Sequence, residues 1–364
     1  YTLNQALIDN STFAGNTAQT SGGGIHSVGG TMTLTDSTVV SNRTLNAPVI
    51  NKEGGLGDSG GTGGGLHLAG GTLFAHKVAW AFNTTGNGSS GGPTNNLFCG
   101  KGGNGGALFI TNATASISSS SFTFNRSGEG GNSIGGIGGN GGNGGDGAGI
   151  YGLSGALDLF DCSFSFNTNG AQGIGFSSAG VPGSGGAIYS LTSMTTTVRR
   201  CLFEGNYGFS GGGIYSYTPT DFSDPVTRVE NSTFIDNEAL QEGGGYYNYG
   251  GKSELLHCTI VGNQAPADRG SGVASYGDSL TLTEVKNSII ESNVFSDVDI
   301  VQSVSFNSFT SQGYNLVGTG NATNAFVQAG DSIGNLLNLG ALGDYGGPTR
   351  SLIPLPGSPA INAG

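Results

Sequence analysis

Charged residues, cysteine and tryptophan are scarce in this sequence of 364 residues, and it has no long apolar run. Only 10% of the residues are charged, with 12 basic and 24 acidic side chains and a net charge of −12. Basic residues that are so few and so scattered form no phosphate-binding stripe, which excludes duplex nucleic acid as a partner. No apolar run reaches the roughly 18 residues of a membrane-spanning helix, so the sequence predicts no transmembrane segment.

The four cysteines indicate neither a disulfide framework nor a metal site. Cys162, Cys201 and Cys258 each stand five residues before a recurring asparagine, in a slot that holds serine in other copies of the repeat. A slot shared by serine and cysteine selects a small side chain rather than redox chemistry. If the strands stack in register, Cys162 and Cys201 come within disulfide reach. A bridge and a pair of stacked, inert thiols both remain open.

Glycine, by contrast, is abundant, and it recurs with a period. It accounts for 72 of the 364 residues. The stretch 22–42, GGGIHSVGGTMTLTDSTVVSN, places Ile25 after a glycine triplet and ends 17 residues later at Asn42. The same 17-residue phrase ends at Asn83, Asn125 and Asn167, and looser copies follow as far as Asn293. Such self-similarity is typical of solenoids, whose repeats each contact only their neighbours.

Three recurring positions in each repeat predict its interior. The closing asparagines are Asn16, Asn42, Asn83, Asn125, Asn167, Asn206, Asn237, Asn263 and Asn293. The large apolar residues three positions earlier are Phe13, Val39, Trp80, Phe122, Phe164, Phe203, Phe234, Ile260 and Ile290. The apolar residues eight positions earlier are Leu34, Ala75, Ile117, Leu159, Val198, Val229, Leu255 and Val285. Side chains alternate along a strand, so positions −5 and −3 share a face, and the change of parity at −8 requires a bend between −8 and −5.

Short strands separated by bends predict an all-β fold, a parallel β-helix of about nine to ten coils. One coil cannot bury its apolar residues alone, whereas coils stacked about 4.8 Å apart share one continuous core. The recurring asparagine fits a ladder of side-chain amides that hydrogen-bond along the axis. It equally fits a turn residue chosen for its tolerance of left-handed φ, and the two interpretations are compatible.

Four consecutive coils carry extra residues at the same corner, within 43–63, 84–105, 126–147 and 168–185. These insertions are rich in glycine, and residues 135–146 read GGI GGN GGN GGD. A period of three favours polyproline-II-like strands whose glycine faces pack closely, and the alternative is a flexible loop. We predict an ordered side lobe on a β-helix that spans 1–310, followed by a C-terminal cap at 311–364.

The repeat also carries a family resemblance. The alternation of GG[AG][ILV] with FxxN over about residues 6–293 resembles the polymorphic outer-membrane-protein repeats of bacterial surface and autotransporter proteins. The tail, with SQGYNLVG at 311–318 and GALGDYGGPTRSLIPLPGSPAINAG at 340–364, is similar to the choice-of-anchor Q domain, with Tyr345 and Asn362 where that family more often has Asn and Asp. The resemblance implies a right-handed parallel β-helix on the outside of a bacterial cell, and it implies no single activity.

Catalysis is weakly indicated. Polysaccharide lyases on β-helices need a carboxylate cluster, usually with Ca²⁺, and a basic residue that takes a proton. Position −6 instead mixes both signs, and Arg199 and Arg200 beside Asp161 fit a surface ion pair better than a catalytic group. His26 and His67 occupy equivalent positions but lack a third metal ligand. The segment GGNGGD at 141–146 fits the start of a calcium-binding nonapeptide without a repeated partner turn. We therefore predict no metal and no cofactor.

An aromatic column is the best functional candidate. One residue past each aliphatic anchor stand His26, His67, Phe109, Tyr151, Tyr189, Tyr215 and Tyr247. If the anchors point inward, these side chains point outward, and Phe109, Tyr151, Tyr189, Tyr215 and Tyr247 offer flat surfaces for a sugar or another protein. The competing interpretation is that the rings only stabilise the sheet, or that the glycine-rich insertions cover them.

Together these features predict a non-enzymatic extracellular or cell-surface protein with a structural or adhesive role. The first coil opens without a cap, which fits missing upstream chain or another molecule stacked there, and hence end-to-end assembly into a filament or surface layer. Its partners would be copies of itself or other surface proteins. The alternative is a glycan-binding or lyase-like β-helix.

Overall fold

The computed structural model describes residues 4–49, 55–91, 98–133, 138–217, 226–302, 306–334 and 337–361, so Tyr1 and Asn362 lie outside the described residues. Apart from the 3-10 turn Thr323–Ala325, the regular structure in these ranges is all β, which confirms that part of the prediction. No helix of the described chain is long and apolar enough to span a membrane. The chain forms two compact units, Tyr1–Ala156 with Phe166–Tyr189 and Leu157–Ser165 with Ser190–Gly364.

In the first unit, each repeat contributes an anchor strand, a second strand and a short strand. The anchor strands, which begin at the aliphatic anchors, are Ile25–Val28, Leu66–Ala69 and Leu108–Thr111. The second strands are Gln5–Asp9, Thr31–Thr35, Thr72–His76 and Ala113–Ser118. The short strands before the recurring asparagines are Thr12–Ala14, Thr38–Val40, Ala79–Ala81 and Ser121–Thr123, and Thr17–Ala18 and Arg43–Thr44 follow two of these asparagines.

The second unit repeats the arrangement. Its anchor strands are Ile214–Tyr217, Val273–Tyr276 and Val298–Val301, and its second strands are Val226–Glu230, Thr281–Lys286 and Phe309–Ser311. The short strands are Ser163–Ser165, Leu202–Glu204, Thr233–Ile235, Thr259–Val261, Ile289–Ile290, Leu316–Val317 and Ser332–Ile333. Tyr207–Ser210 and Glu238–Glu242 follow two asparagines. In Tyr246–Leu256 the anchor and second strands are continuous, as they are in Ile150–Phe160 and Ile188–Arg199, which are divided between the units.

The predicted interior columns stack in register inside each unit. Parallel pairing joins Phe13, Val39, Trp80 and Phe122 in the first unit, and Phe164, Phe203, Phe234, Ile260 and Ile290 in the second. All of these side chains except the half-buried Phe13 are fully buried. The −8 column is buried as well, from Leu34 to Val285. Repeat-equivalent residues therefore lie over one another, as the spacing predicts.

Two left-handed residues in each repeat make the bends around the short strand. The −6 position has positive φ, for example 43° at Asp36 and 52° at Lys77, which places the predicted bend between −8 and −5. The residue just before each asparagine is also left-handed, as at Gly15, Ser41 and Phe82. A residue in the left-handed region turns the chain away from the extended direction of a strand, so each short strand has a bend at both ends.

The recurring asparagines form the predicted ladder within each unit. Asn83 donates from its backbone N and its Nδ2 to Oδ1 of Asn125, at 3.0 Å each. Its Nδ2 also donates to the carbonyl of Val39 at 2.8 Å. The same pattern runs from Asn16 to Asn167 in the first unit and from Asn206 to Asn293 in the second. The last acceptor is a carboxylate, because Asn293 donates to Oδ1 of Asp297.

The described parts of the four insertions form an ordered lobe in the first unit. Backbone N–H groups three residues apart have equivalent partners. The N–H groups of Gly100 and Gly103 donate to carbonyls within the same insertion, at Ser89 and Gly86. Those of Cys99 and Gly102 donate to carbonyls of the next insertion. A Cβ on Gly103 would lie 1.8 Å from the carbonyl oxygen of Gly61, so only glycine allows the approach. The period of three read from GGx repeats is therefore a period of three in hydrogen bonding.

Candidate functional site

In the first unit, the aromatic column is a closed stack. Ring centroids are 4.7 Å apart between His67 and Phe109, 5.1 Å between Phe109 and Tyr151, and 5.3 Å between Tyr151 and Tyr189, with interplanar angles of 18° or less. Phe109 is 9% exposed and Tyr151 is 7% exposed. Each ring face is covered by the next ring, so the outward-facing surface expected there is wrong for these two residues. Their role as a ligand face stays a prediction.

The glycine-rich lobe contributes to this burial. Burial, followed by the negative charge of Asp146, raises the pKa of Tyr151, and a side-chain hydrogen bond from Asn104 opposes the shift. Asn104 and Asp146 lie near the ends of two successive insertions. The competing interpretation from the sequence, in which stacking and the insertions account for the column, therefore describes the first unit better than an open face does.

His26 and His67 belong to the same stack, with ring centroids 5.1 Å apart. Their Nδ1 atoms contact the hydroxyls of Ser21 at 3.1 Å and Thr62 at 2.9 Å. Burial, and then the proximity of His26, lowers the pKa of His67 to about 4. A neutral ring packed against a hydroxyl suits the stack, and among the described residues no group of three His, Cys, Asp or Glu could hold a metal ion.

The basic residues considered for catalysis form ion pairs. Nε of Arg200 lies 2.8 Å from Oδ1 of Asp161, and Nη2 of Arg199 lies 2.8 Å from Oδ1 of Asp158. Nζ of Lys101 lies 2.5 Å from Oδ2 of Asp146, the acidic residue of the GGNGGD segment. No disulfide joins Cys162 to Cys201, and the backbone N of Cys162 donates to Sγ of Cys201 at 3.4 Å. Stacked thiols therefore occupy the slot, without a bridge.

An exposed row of phenylalanines was missed from the sequence. Phe82, Phe124 and Phe166 are 54%, 47% and 44% exposed, and neighbouring ring centroids are 5.3 Å apart. All three occupy the left-handed slot before an asparagine, with φ of 53–57°. Other repeats place glycine, serine or aspartate there. A bulky residue costs free energy in this conformation, so the row is an outlier that points to a role outside the core.

A cluster of five tyrosines lies in the second unit. Tyr249 is its centre, with ring centroids 6.0 Å from Tyr215, 5.0 Å from Tyr217, 5.8 Å from Tyr247 and 4.9 Å from Tyr276. The structure thus brings together two predicted residues, Tyr215 and Tyr247, and three that the sequence reasoning missed. Tyr247 is 2% exposed and forms the floor, so the exposure expected of it is wrong, while Tyr249 is 36% exposed.

A β-bulge puts Tyr249 in this position. The register of the strand pair shifts, because Ser216 opposes Asn248 while Tyr217 opposes Gly250. Tyr249 is the extra residue, and such a residue re-aims its side chain. The buried Asn248 holds the bulge: its Nδ2 donates to Oγ1 of Thr283 at 3.0 Å, and its Oδ1 accepts from the N–H of Gly250 at 3.3 Å. The pair Gly250–Gly251 is the sequence signal that could have indicated it.

The surroundings of the tyrosine cluster are acidic. Burial, and then the charges of nearby tyrosines, Asp278 and Glu242, raises the pKa of Tyr249. Glu242 is buried, accepts a hydrogen bond from Oγ of Ser210 at 2.8 Å and pairs with Nη1 of Arg269 at 3.1 Å. Asp278 accepts from Oγ1 of Thr281 at 2.7 Å. The cluster thus combines aromatic faces, phenol hydroxyls and neighbouring carboxylates.

A groove of about 480 Å³ follows the base of the lobe in the first unit. Its lining includes Arg43, Thr84, Asn87, Arg126 and Glu129. The guanidinium of Arg126 pairs with Glu129 at 2.5 Å, and Nε of Arg43 donates to Oγ1 of Thr17 at 3.2 Å. Glu129 therefore offsets the charge of Arg126, whereas Arg43 bonds a neutral hydroxyl and keeps its positive charge at the groove.

Comparison with known proteins adds little. No protein-family model and no curated protein matches the sequence. Two solved structures of QnrB1, a plasmid-mediated fluoroquinolone resistance protein, are similar at 9% identity over 91% of this chain. The alignments cover 94% of the full-length QnrB1 chain and 92% of a trypsin-treated one, each with a TM-score of 0.19. Values this low carry no argument about fold or function.

Proposed function

We propose that the chain is a right-handed parallel β-helix of the bacterial surface type that its repeats resemble, and that it serves outside the cell as a structural or adhesive protein rather than an enzyme. Stacked parallel strands and the two asparagine rows support the solenoid. In such a scaffold each repeat is stabilised by its contacts with the neighbouring repeats. Its surface is then available for contacts with other molecules.

The exposed phenylalanine row carries the adhesive part of the proposal. Phe82, Phe124 and Phe166 add nothing to the interior, yet they occupy a backbone conformation that favours glycine or asparagine. Apolar surface that is exposed at a cost in stability is typical of contact sites. Three stacked rings in one row form an apolar ridge that a second surface can cover.

Self-association is part of the same proposal. The exposed phenylalanine row supports it, since an apolar ridge that a second surface can cover suits a second copy of the chain as well as another surface protein.

A bead-aggregation assay tests the adhesive role. Beads coated with the chain should cluster, and the triple variant F82S/F124S/F166S should cluster at least roughly tenfold less, a loss of about 1.4 kcal/mol of contact energy. Serine already occupies the same slot at Ser41 and Ser292, so the variant should keep its melting temperature. The matched control F295S/F306S removes exposed phenylalanines elsewhere and should cluster normally. Wild-type beads that stay dispersed, together with purified chain that sediments as a monomer at every concentration, would contradict the proposal.

A further inference from the structure

We propose that the tyrosine cluster of the second unit, formed by Tyr215, Tyr217, Tyr247, Tyr249 and Tyr276, is a binding site for a neutral carbohydrate chain. This inference rests on the proposed adhesive function and names its partner. It assigns the site to one cluster rather than to the whole aromatic column.

Ring orientation separates this cluster from the stack in the first unit. The ring pairs Tyr249–Tyr247 and Tyr249–Tyr276 make angles of 62° and 60° and the pair Tyr215–Tyr249 makes one of 28°, whereas the rings of Tyr151 and Tyr189 are within 8° of parallel. Parallel stacked rings cover one another's faces. Tilted and edge-on rings leave faces open, and the negative face of a tyrosine attracts the C–H edge of an apolar surface.

The bulge makes Tyr249 the part of the cluster most accessible to a ligand. It is the extra residue of the strand pair, it is 36% exposed, and it contacts all four other rings. The floor beneath it is rigid, since Tyr247 packs with Ala274 and Val301 in a buried cluster. Tyrosine offers a large, rigid contact area with few rotatable bonds, so little entropy is lost when a ligand binds.

The chemistry of the cluster selects the ligand class. A pyranose ring has a C–H face for the aromatic rings and hydroxyls for the phenol groups, so it matches both features. Glu242 is paired with Arg269, so it is the carboxylate of Asp278, which acts on Tyr249 and accepts a hydrogen bond from Oγ1 of Thr281, that would repel an anionic sugar or an anionic headgroup. A neutral, hydroxyl-rich chain fits best.

A binding measurement on the intact chain tests the proposal. The probes are neutral hexose oligosaccharides of the cello-, malto-, manno- and galacto- series, with uronate oligosaccharides of the same length, each followed by titration calorimetry. We expect binding to at least one neutral series. Y249A should weaken this binding roughly tenfold or more, Y249F should retain most of it because the ring is kept, and Y345A, at an exposed tyrosine outside the cluster, should leave it unchanged.

The outcomes separate this inference from the proposed function. Neutral binding that is lost in Y249A, with unchanged melting temperature, supports the site. Absence of neutral binding, stronger binding of uronates, or equal affinity in Y249A overturns it, and bead adhesion that persists in Y249A then leaves the proposed function in place. Neutral binding without any clustering of the beads would instead support the site and contradict the self-association in the proposed function.

Discussion

At the scale of single residues, each repeat depends on a few side chains that satisfy the backbone of the next. The side-chain amide of a corner asparagine donates twice and accepts twice, and it does so while fully buried, as at Asn125. Buried polar groups with all partners in place stabilise a unique arrangement, whereas a missing partner leaves several groups unpaired. The cost of losing one such residue therefore depends on its position in the row.

Replacement of an interior asparagine should destabilise the first unit far more than replacement of the first one. Asn125→Ala leaves the backbone N of Asn83 without its acceptor and removes one of the two acceptors of Nδ2 of Asn83 and the side-chain donor to the carbonyl of Trp80, so we expect a loss of at least about 3 kcal/mol. Asn16 is exposed and loses only its bond to Asn42, so Asn16→Ala should cost about 1 kcal/mol or less. Urea unfolding followed by circular dichroism measures both. Equal losses would show that the ladder does not carry this stability.

His67 should make stability depend on pH. Its pKa is lowered to about 4 in the fold, so between that pH and about 6.5 the unfolded chain binds a proton that the folded chain does not. Stability then rises with pH across this window and falls as the pH is lowered through it. We expect the melting temperature of the wild type to drop more between pH 7 and pH 4.5 than that of His67→Phe, which continues the stack towards Phe109.

The uncharged variant His67→Gln is the control for the lost ring. It should show the same reduced pH dependence as His67→Phe, although its absolute stability is lower. If all three proteins lose stability in parallel as the pH falls, then the buried imidazole is not the titrating group.

At the scale of elements, the sequence predicts the strands well because their period is long and repeated. The columns at −3 and −8 are buried as expected, and the bend falls at −6, where residues as different as Asp36, Lys77 and Arg200 share positive φ. The mixed charges at position −6 predict a solvated face, and the structure shows in addition that this position forms a turn. The backbone also explains why glycine recurs in the triplets. Gly63 is left-handed, and a Cβ on Gly64 would lie 2.4 Å from a neighbouring carbonyl oxygen.

The candidate site was harder to predict, because exposure depends on what covers a strand. Position alone placed Phe109, Tyr151 and Tyr247 outside, but stacking and the lobe cover the first two, and Tyr249 with Tyr215 covers the third. Tyr217, Tyr249 and Tyr276 each stand three residues past an anchor, a recurrence that the sequence reasoning did not use, and the bulge that makes Tyr249 an extra residue is visible only in the structure. The phenylalanine row was missed for the opposite reason: its slot varies, and only the structure shows that three rings in it stack.

The lobe should depend on its glycines more than on any side chain. Gly103→Ala would place a Cβ 1.8 Å from the carbonyl oxygen of Gly61 and 2.9 Å from Cβ of Thr85, so the strands must separate. We expect a cost of about 2 kcal/mol or more, concentrated in the lobe. Hydrogen exchange should speed up at the amides of Gly103 and Gly128, whose bonds cross the lobe, while the short strands stay protected.

Gly347→Ala is the control for this experiment. Its only neighbour would be a carbonyl oxygen at 3.4 Å, so it should leave both stability and exchange unchanged. Uniform loss of protection in Gly103→Ala, in the short strands as much as in the lobe, would show that the lobe does not open independently.

At the scale of the whole molecule, hydrogen bonding along the stack has a direction and an end. In the second unit the asparagine row closes at Asp297, and a neighbouring row, in which Cys258 donates to Ser288 and Ser288 to Asn315, closes at Asp331. A carboxylate accepts without having to donate, so it ends a ladder without leaving a donor unpaired. The tail also returns along the second unit, where Arg350 pairs with Glu204 and Thr349 bonds to the carbonyl of Arg200.

The account depends on repeat-equivalent residues lying over one another, and side-chain amide contacts test this most directly. In a sample labelled with ¹⁵N only at asparagine, nuclear Overhauser effects should connect the Nδ2 protons of Asn42, Asn83, Asn125 and Asn167 in sequence, because each Nδ2 bonds to the Oδ1 of the next. These protons should also exchange slowly with water, since the side chains are fully buried. Rapidly exchanging asparagine amides with no contacts among them would contradict the stacked fold and every surface inferred from it.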